Sequence, residues 1–364
     1  MGLKSPVWVY MLFASFSILA WAHVPAPEGT EDLHNLLAIS PIVFHAQVTS
    51  IEGIGPPPAG LVVQPAQIAV LTVDRWYRGN PRPGTVRLKF FYPGFDGEDC
   101  IDLHRSNSWL ILAKLGPDGA YEFADSCEGG LPMSAILAPA EKKDCLDQLQ
   151  ADLIAGLQDS DPALRVANIA RLGGLKLRSS SEALRKIMDD GTADEQAWAT
   201  YATLRSGDLT AIGKAASILI DADESLWQRR RYETSPPDAA PTSEPAMNIE
   251  FEIWREVRDP KAVPKLIKIL QEAKSDWART SALGALQEIK DPRSLRAAVA
   301  HLSDSSSSVQ YHALATVNGI TGAAECEAPV GNNESELLAA AETCTRWWKE
   351  SGSRKWVAAT AQAK

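Results

Sequence analysis

Apolar and polar positions follow two rhythms along the chain, one typical of strands in the first third and one typical of helices after it. The clearest helical pattern lies near the carboxyl end, where Asp259 and Asp291, each followed by proline, open apolar stripes at spacings of three and four. These openings are 32 residues apart, and second helical patterns from Ser281 and His312 follow at a spacing of 31. Such self-similarity predicts stacked helical hairpins, because one hairpin cannot bury its apolar face alone.

The pair Asp276 and Arg279 flanks the start of the second helix in the first of these units. With this pair and the repeated hairpin, the segment resembles HEAT repeats, and the resemblance implies an α-solenoid. Weaker patterns upstream resemble degenerate hairpins of the same type: Cys145 to Leu157, Asp161 to Leu172, Ser179 to Met188, Ala193 to Leu204 and Leu209 to Ile220.

Before the helices, runs of alternating and β-branched residues predict five short strands separated by Gly and Pro clusters. The predicted strands are Ile42 to Ile51, Gln67 to Tyr77, Thr85 to Tyr92, Ser108 to Leu115 and Ala120 to Ala124. Five short strands with this punctuation favour a small closed barrel or a sandwich.

Five pieces of this region also carry a resemblance: the runs that begin at Ile42, Val73 and Trp109, together with Cys100 and the stretch from Ser126. Taken together, about residues 36 to 132 resemble the netrin-like, TIMP-type module of exported bacterial proteins. The resemblance implies an OB fold.

Residues 1 to 22 predict an export signal, with Lys4 as the positive head, an apolar stretch from Val7 to Leu19 and a cleavage site after Ala22. An uncleaved anchor is the alternative, although the stretch is shorter than the roughly 20 residues of a spanning helix. The mature chain would begin at His23. Inhibitors in the netrin-like family chelate a protease's zinc through an N-terminal cysteine. This chain would have histidine at that place, so the resemblance does not imply inhibition.

The predicted fold class is therefore α+β in two domains, a small OB-like β-barrel followed by an all-α HEAT-like solenoid. The predicted boundaries are a signal peptide at 1–22, a β-rich OB or netrin-like domain at 23–135, degenerate helical repeats at 136–233, a proline-rich linker at 234–247, HEAT-like repeats with a C-terminal cap at 248–350 and a tail at 351–364.

Export favours disulfide bonds among the five cysteines. Locality pairs Cys100 with Cys127 and Cys326 with Cys344, and it leaves Cys145 as a half-buried thiol. Five cysteines do not fix the connectivity, and a bond between Cys127 and Cys145 is an open alternative. We expect the Cys326–Cys344 bridge and the tryptophans near the carboxyl end to close the array, with an aromatic ligand platform as the alternative.

Candidate chemistry is sparse. The six histidines show no HExxH or other paired spacing, so we predict no metal site, no cofactor and no catalytic residue. Two weaker alternatives are copper binding by an N-terminal His23 and calcium binding by the acidic loop from Phe95 to Cys100. The net charge of −10 argues against a nucleic-acid partner and an anionic membrane surface.

Two functions from different classes are consistent with these patterns. The first is an exported, non-enzymatic scaffold, periplasmic or secreted and of bacterial type, whose concave helical face binds a protein or peptide of the cell envelope. The second makes the N-terminal module the active part, as a hydrolase inhibitor or a metal-dependent site that the helices support. A tetrapyrrole lyase of HEAT type is a third hypothesis, and the export signal argues against it.

Overall fold

A computed structural model of the protein has a β-barrel followed by a helical region, which confirms the predicted fold class. It describes residues 33–53, 66–79, 84–91, 103, 106, 108–125, 129–140, 144–222, 245–330 and 333–356. The predicted export signal and cleavage site, Cys100, Cys127, the acidic loop from Phe95 and most of the predicted linker lie outside these residues.

Five strands close the barrel, and the sequence predicts each of them to within two residues. They are β1 (Ile42–Gly53), β2 (Ala66–Arg78), β3 (Thr85–Phe91), β4 (Ser108–Leu115) and β5 (Tyr121–Phe123). Their order is β1-β2-β3-β5-β4, and β1 pairs with β4 to close the ring. All neighbouring strands are antiparallel except β3 and β5, which run parallel. This closed five-stranded arrangement fits an OB fold.

A sixth strand, β6 (Gly130–Pro132), is absent from the sequence prediction and pairs with the start of β4. Its three residues include glycine and proline, which weaken strand propensity and gave no alternating signal. A short helix, α1 (Leu33–Ile39), is also missing from the prediction, since seven residues hold too few turns to show periodicity.

Strand β4 up to Ala113 and the first part of β1, from Val43 to Ala46, are buried on both faces, which explains their largely apolar sequences. In β4, Trp109 and Ile111 point into the barrel, whereas Leu110 and Leu112 point outward into the core of the helical region. Register bulges in β1 opposite β2 bend the strand, as closing a small barrel requires. The barrel interior therefore forms one core, while the outward face of the barrel joins the helices in a second, shared core.

The described helices after the barrel form hairpins of a first and a second helix. The first helices are α2 (Cys145–Ala155), α4 (Ser181–Asp190), α6 (Ile212–Asp221), α8 (Val263–Glu272) and α10 (Leu295–Ala300); the second helices are α3 (Pro162–Gly174), α5 (Ala193–Arg205), α7 (Pro245–Glu256), α9 (Asp276–Ile289) and α11 (Ser307–Thr321). Each first helix packs on the second helix that follows it. Second helices also pack on one another in chain order, from α3 through α5, α7 and α9 to α11.

The two units predicted from the repeat near the carboxyl end share their local details. Asp259 and Asp291 each cap a short 3-10 turn by accepting a hydrogen bond from the backbone N–H two residues later, at 2.8 and 2.9 Å. The proline that follows each aspartate suits a first helical position, where no N–H is needed. Asp208 does the same before α6, although no proline follows it, so this start signal extends into the degenerate half.

A last helix, α12 (Glu334–Trp347), packs on α11 and continues into a π-helical turn at Trp348–Gly352. The predicted disulfide between Cys326 and Cys344 is present and ties α12 to the segment before it. Both Trp347 and Trp348 are partly buried against the array core, as a cap requires.

Candidate functional site

Ionisable side chains converge where the outer surface of the barrel meets the first helices. We call this group the barrel–helix joint; its members are His45, Asp74, Arg75, Tyr77, Ser108 and Asp152. Residues 43 and 45 of β1 point outward because their neighbours Phe44 and Ala46 fill the barrel. The joint is therefore a product of strand alternation combined with the docking of α2.

Asp152 of α2 is the anchor of the joint, and its side chain is fully buried. It accepts hydrogen bonds from the Arg75 guanidinium, from the Tyr77 hydroxyl at 2.6 Å and from the Ala138 backbone N–H at 2.9 Å. The amide of Gln148 donates a fourth, at 3.2 Å. Each of these hydrogen bonds replaces water that burial has removed from the Asp152 side chain.

The neighbours of Asp152 are fixed in turn. Arg75 donates a second hydrogen bond from Nη2 to the Ala138 carbonyl at 2.8 Å, which ties β2 to the connector before α2. Burial, and then the nearby Asp152 carboxylate, raise the pKa of Tyr77 above its usual value. The phenol consequently stays protonated and remains a donor to Asp152.

His45 forms the second centre of the joint and is fully buried. Its Nε2 lies 2.7 Å from the Ser108 hydroxyl and 3.1 Å from the Ser134 carbonyl oxygen, while Nδ1 lies 3.1 Å from an Asp74 carboxylate oxygen. Burial lowers the pKa of His45, and Asp74 opposes that shift. In the neutral ring, a proton on Nε2 would donate to the Ser134 carbonyl, which can only accept, whereas a proton on Nδ1 would face Asp74 and leave Nε2 to accept from Ser108.

Ser108, His45 and Asp74 are the side-chain types that activate a serine nucleophile in many hydrolases, although here only the Ser108–His45 contact has hydrogen-bond geometry. This Ser108–His45–Asp74 chain is enclosed, since His45 has no solvent exposure and Ser108 is 6% exposed. A cleft of about 390 Å³ at the barrel rim, lined by Arg87, Asp118 and Tyr121 among others, shares no residue with it. The arrangement ties β1, β2 and β4 together rather than presenting a nucleophile to substrate.

A second set of polar contacts repeats along the helical array at a fixed position, four residues after the N-cap of a second helix. The N-caps Asp161 and Thr192 are 31 residues apart, as are Ser275 and Ser306. The residues at the fourth position after these N-caps are Arg165, Gln196, Arg279 and Gln310, and each donates to a carbonyl of the turn before its own helix, at 2.7 to 3.3 Å. We call these four residues the turn ladder.

Members of the turn ladder also join one unit to the next. Arg165 donates to Glu195 at 2.6 Å, and Arg279 pairs with Asp304 at 3.1 Å. Partial burial raises the pKa of Glu195, but hydrogen bonds from Thr192 and Arg165 outweigh burial and lower it overall. Arg279 was singled out in the sequence beside Asp276; the observed partner is Asp304 of the following unit, and Asp276 instead accepts from Ser306 at 3.1 Å.

The two layers of the array expose different chemistry. Exposed positions of the first helices are mainly charged: Glu182, Arg185, Lys186, Lys214, Lys265, Lys268, Glu272 and Arg296. On the second helices, Phe251 of α7 and Tyr311 of α11 are 39% and 40% exposed. Tyr311 lies 5.4 Å from the ring of His312, which in turn contacts Trp254 of α7 across α9.

That contact across α9 depends on Gly284. A Cβ at this position would lie 3.1 Å from the Trp254 ring, closer than most real contacts. His312 is half buried, and burial lowers its pKa. His301 caps α10 with Nδ1 3.0 Å from the Ala297 carbonyl, in line with a helix-end role.

The remaining predicted residues are found as follows. Cys145, at the first position of α2, is half-buried and has no disulfide partner among the described residues, which do not include Cys127. Asn333, within the sequence Asn-Glu-Ser, is the N-cap of α12 and accepts from the Ser335 N–H at 3.1 Å. Within the described ranges, no three His, Cys, Asp or Glu side chains are grouped to hold a metal ion, and no helix is long and apolar enough to cross a bilayer.

The joint was not predicted from the sequence, although two of its residues carried a signal. His45 interrupts the apolar run of β1, and Asp152 stands directly beside Leu153 in the apolar stripe of α2. Polar residues at positions that periodicity assigns to a core are expected to have buried partners. Their partners within the joint lie 29 to 77 residues away in the chain, so local spacing does not reveal them.

Comparison with protein-family models gives no match, and comparison with curated proteins gives none either.

Proposed function

We propose that the protein is an exported scaffold of HEAT type that binds a protein or peptide of the cell envelope on the face formed by its second helices. The observation that carries this proposal is the repeated unit, with N-caps 31 residues apart and the same turn contact four residues later. Repeated hairpins of this kind present an extended surface, which suits recognition of a macromolecule.

The second-helix face is favoured over the first-helix face by its composition. Tyrosine and other aromatic residues are enriched in protein interfaces, while lysine and glutamate are depleted from interface cores. Tyr311 is exposed on the second layer, whereas the exposed positions of α8 and α10 in the first layer include Lys265, Lys268 and Arg296. The disulfide-bound α12 at one end and the barrel at the other support an array of fixed length.

The competing proposal gives the activity to the barrel, as a netrin-like module that inhibits a hydrolase or holds a metal. The Ser108–His45–Asp74 chain favours this proposal by its chemistry. The burial of His45 and the separation of this chain from the rim cleft weigh against it. We therefore rank it second.

Photo-crosslinking of the full-length protein in its own cells would separate the two proposals. The barrel and helices should not be tested apart, because they share one core and cutting the chain would expose it. A photoreactive residue would replace Tyr311 on the second layer, Arg296 on the first layer, or Leu115 on the barrel, where each side chain is exposed.

The scaffold proposal predicts one discrete crosslinked protein from position 311 and none from the two matched positions. Crosslinking from position 115 alone would show that the partner binds the barrel, and would favour the competing proposal. Crosslinking from position 296 alone, or from none of the three, would contradict binding on the second-helix face. As a further control, Ser108→Ala should leave the crosslink at position 311 unchanged.

A further inference from the structure

Helix α7 buries two carboxyl side chains, whereas α5 buries one, Glu195, and α9 buries none. The two in α7, which also buries Ile249 and Ile253, are Glu250 and Glu252, which are 4% and 5% exposed. Residues two apart on a helix point in nearly opposite directions. The two carboxyls therefore lie on the two flanks of α7, one toward α9 and the other toward α5.

On the flank that meets α9, Glu250 faces the start of that helix. Ser275, the N-cap of α9, hydrogen-bonds the Glu250 carboxyl, and the Asp276 carboxylate lies next to it. The other carboxyl oxygen, Oε1, has no hydrogen-bond partner among the described residues. Burial, and then Asp276, raise the pKa of Glu250 well above its usual value, and the Ser275 bond only partly offsets this.

On the flank that meets α5, Glu252 faces Arg205 at 4.0 Å, a distance beyond a hydrogen bond. The other charged groups near it are Lys176 after α3, and Arg255 and Glu256 on α7 itself. Burial raises the pKa of Glu252 to about 7, with Arg205 opposing. Its Oε1 also lacks a partner in the described part of the chain.

We propose that α7 is a pH-responsive hinge of the array: it packs between α5 and α9 while Glu250 and Glu252 carry protons, and it loosens from both when they ionise. Two observations carry the inference, the burial of a carboxyl on each flank and the incomplete hydrogen bonding of both. An ionised carboxylate needs water or several donors, and opening of α7 is the movement that supplies water. The hinge goes beyond the proposed scaffold function and stands without it.

The direction of the pH dependence follows from whether the closed or the open hinge binds the carboxyl protons more tightly. The closed hinge has raised carboxyl pKa values and the open hinge has ordinary ones near 4.5. Closure is therefore fully stabilised below about pH 4.5, and stabilisation is lost as the pH rises through the closed-state pKa, about 7 for Glu252. Each carboxyl makes opening up to about tenfold easier per pH unit in that window.

Hydrogen exchange of the full-length protein, followed by mass spectrometry from pH 5 to pH 8.5 and corrected for intrinsic exchange rates, tests this. Variants would be Glu250→Gln, Glu252→Gln and the double substitution, because glutamine imitates the neutral acid in shape. The matched control is Glu272→Gln, an exposed glutamate of α8. A second readout, the distance between spin labels on α4 and α10 in the wild type, does not depend on how the variants fold.

We expect protection of α7 to fall at least tenfold between pH 5 and pH 8, and the double variant to remove that dependence. The control variant should keep the wild-type dependence, and the label distance should broaden at high pH. Wild-type protection of α7 that does not change with pH would overturn the hinge. The same conclusion would follow from a double variant that responds to pH like the wild type, or, if that variant does not fold, from an unchanged label distance.

Discussion

The barrel–helix joint and helix α7 both bury ionisable groups, but they treat them in opposite ways. At the joint, Asp152 accepts four hydrogen bonds, and His45 is hydrogen-bonded at Nε2, while its Nδ1 lies 3.1 Å from the Asp74 carboxylate without hydrogen-bond geometry. At α7, Glu250 and Glu252 each have one oxygen without a partner in the described chain. Burial raises the pKa of both glutamates and lowers the pKa of His45, so we expect acid to weaken the joint and base to weaken α7.

This difference indicates separate roles for two similar-looking features. A buried charge that is fully hydrogen-bonded fixes one geometry, because breaking any bond leaves a charge uncompensated. A buried carboxyl that lacks partners leaves its element easy to open. We therefore expect the barrel to be a rigid end of the array and α7 to be the helix at which the array opens.

The largest effect should follow the loss of Asp152. Asp152→Ala would leave the buried Arg75 guanidinium without its carboxylate and should lower the free energy of unfolding by about 3–5 kcal/mol. Urea unfolding would measure it, with Asp147→Asn, an exposed carboxylate of the same helix, as control. Equal stability of the two variants would show that the joint does not hold barrel and helices together.

Removal of the disulfide should have the next largest effect. The bond closes a loop of 18 residues, for which loop entropy gives a stabilisation of about 3 kcal/mol. We expect the paired substitution of Cys326 and Cys344 by serine to lower stability by this amount and to increase hydrogen exchange in α12 first. Cys145→Ser, which replaces a cysteine with no disulfide partner among the described residues, should change α12 little. Unaltered exchange in α12 would contradict its role as a pinned cap.

A smaller loss is expected from the turn ladder. Arg279→Ala removes the pair with Asp304 and the bonds to the preceding turn, and should cost about 2 kcal/mol. Arg165→Ala should cost a similar amount, since its contacts match. The exposed Arg296→Ala provides the baseline in thermal unfolding. If all three variants unfold at the same temperature, the turn ladder does not stabilise the helical array.

The smallest expected effect is the loss of folding stability at the barrel–helix joint as the pH falls. Because folding lowers the pKa of His45, its contribution is full above about pH 6.5 and is lost as the pH falls below that value, by up to about 1.4 kcal/mol per pH unit. His45→Gln should flatten this slope at some cost at neutral pH. Denaturant titrations at pH 5, 6 and 7 would measure this slope. The variant His312→Gln would show how much of it comes from His312, the other histidine whose pKa is lowered by burial. Equal slopes for wild type and His45→Gln would refute the prediction.

The local sequence pattern predicted all the elements except the short α1 and β6, but few of the contacts between elements. Strand β4 was predicted with its observed ends because an apolar run from Trp109 to Ala113 stands between turn residues. The 31-residue spacing of second helices was visible near the carboxyl end, and the structure extends it to Asp161 and Thr192. Cys326 and Cys344 were paired by proximity in the chain, which works for a short loop.

The joint and α7 illustrate contacts that the local sequence pattern does not show. Asp74 and Asp152 look like ordinary acids in an acidic chain, and only the docking of α2 on β1 and β2 brings them to His45 and Arg75. Glu250 and Glu252 read as the polar side of an amphipathic helix, yet α5 and α9 enclose α7 from both flanks. Burial on two sides depends on neighbours distant in sequence, and periodicity reports only one face.

The most direct test of the contrast is hydrogen exchange of the wild-type protein at pH 5 and pH 8, read at two places in one experiment. The peptides to compare are those covering β1 and α2 at the joint and the one covering α7, each corrected for intrinsic rates. The account predicts that the joint is better protected at pH 8 and α7 at pH 5. Parallel changes in the two regions, or no change in either, would contradict it.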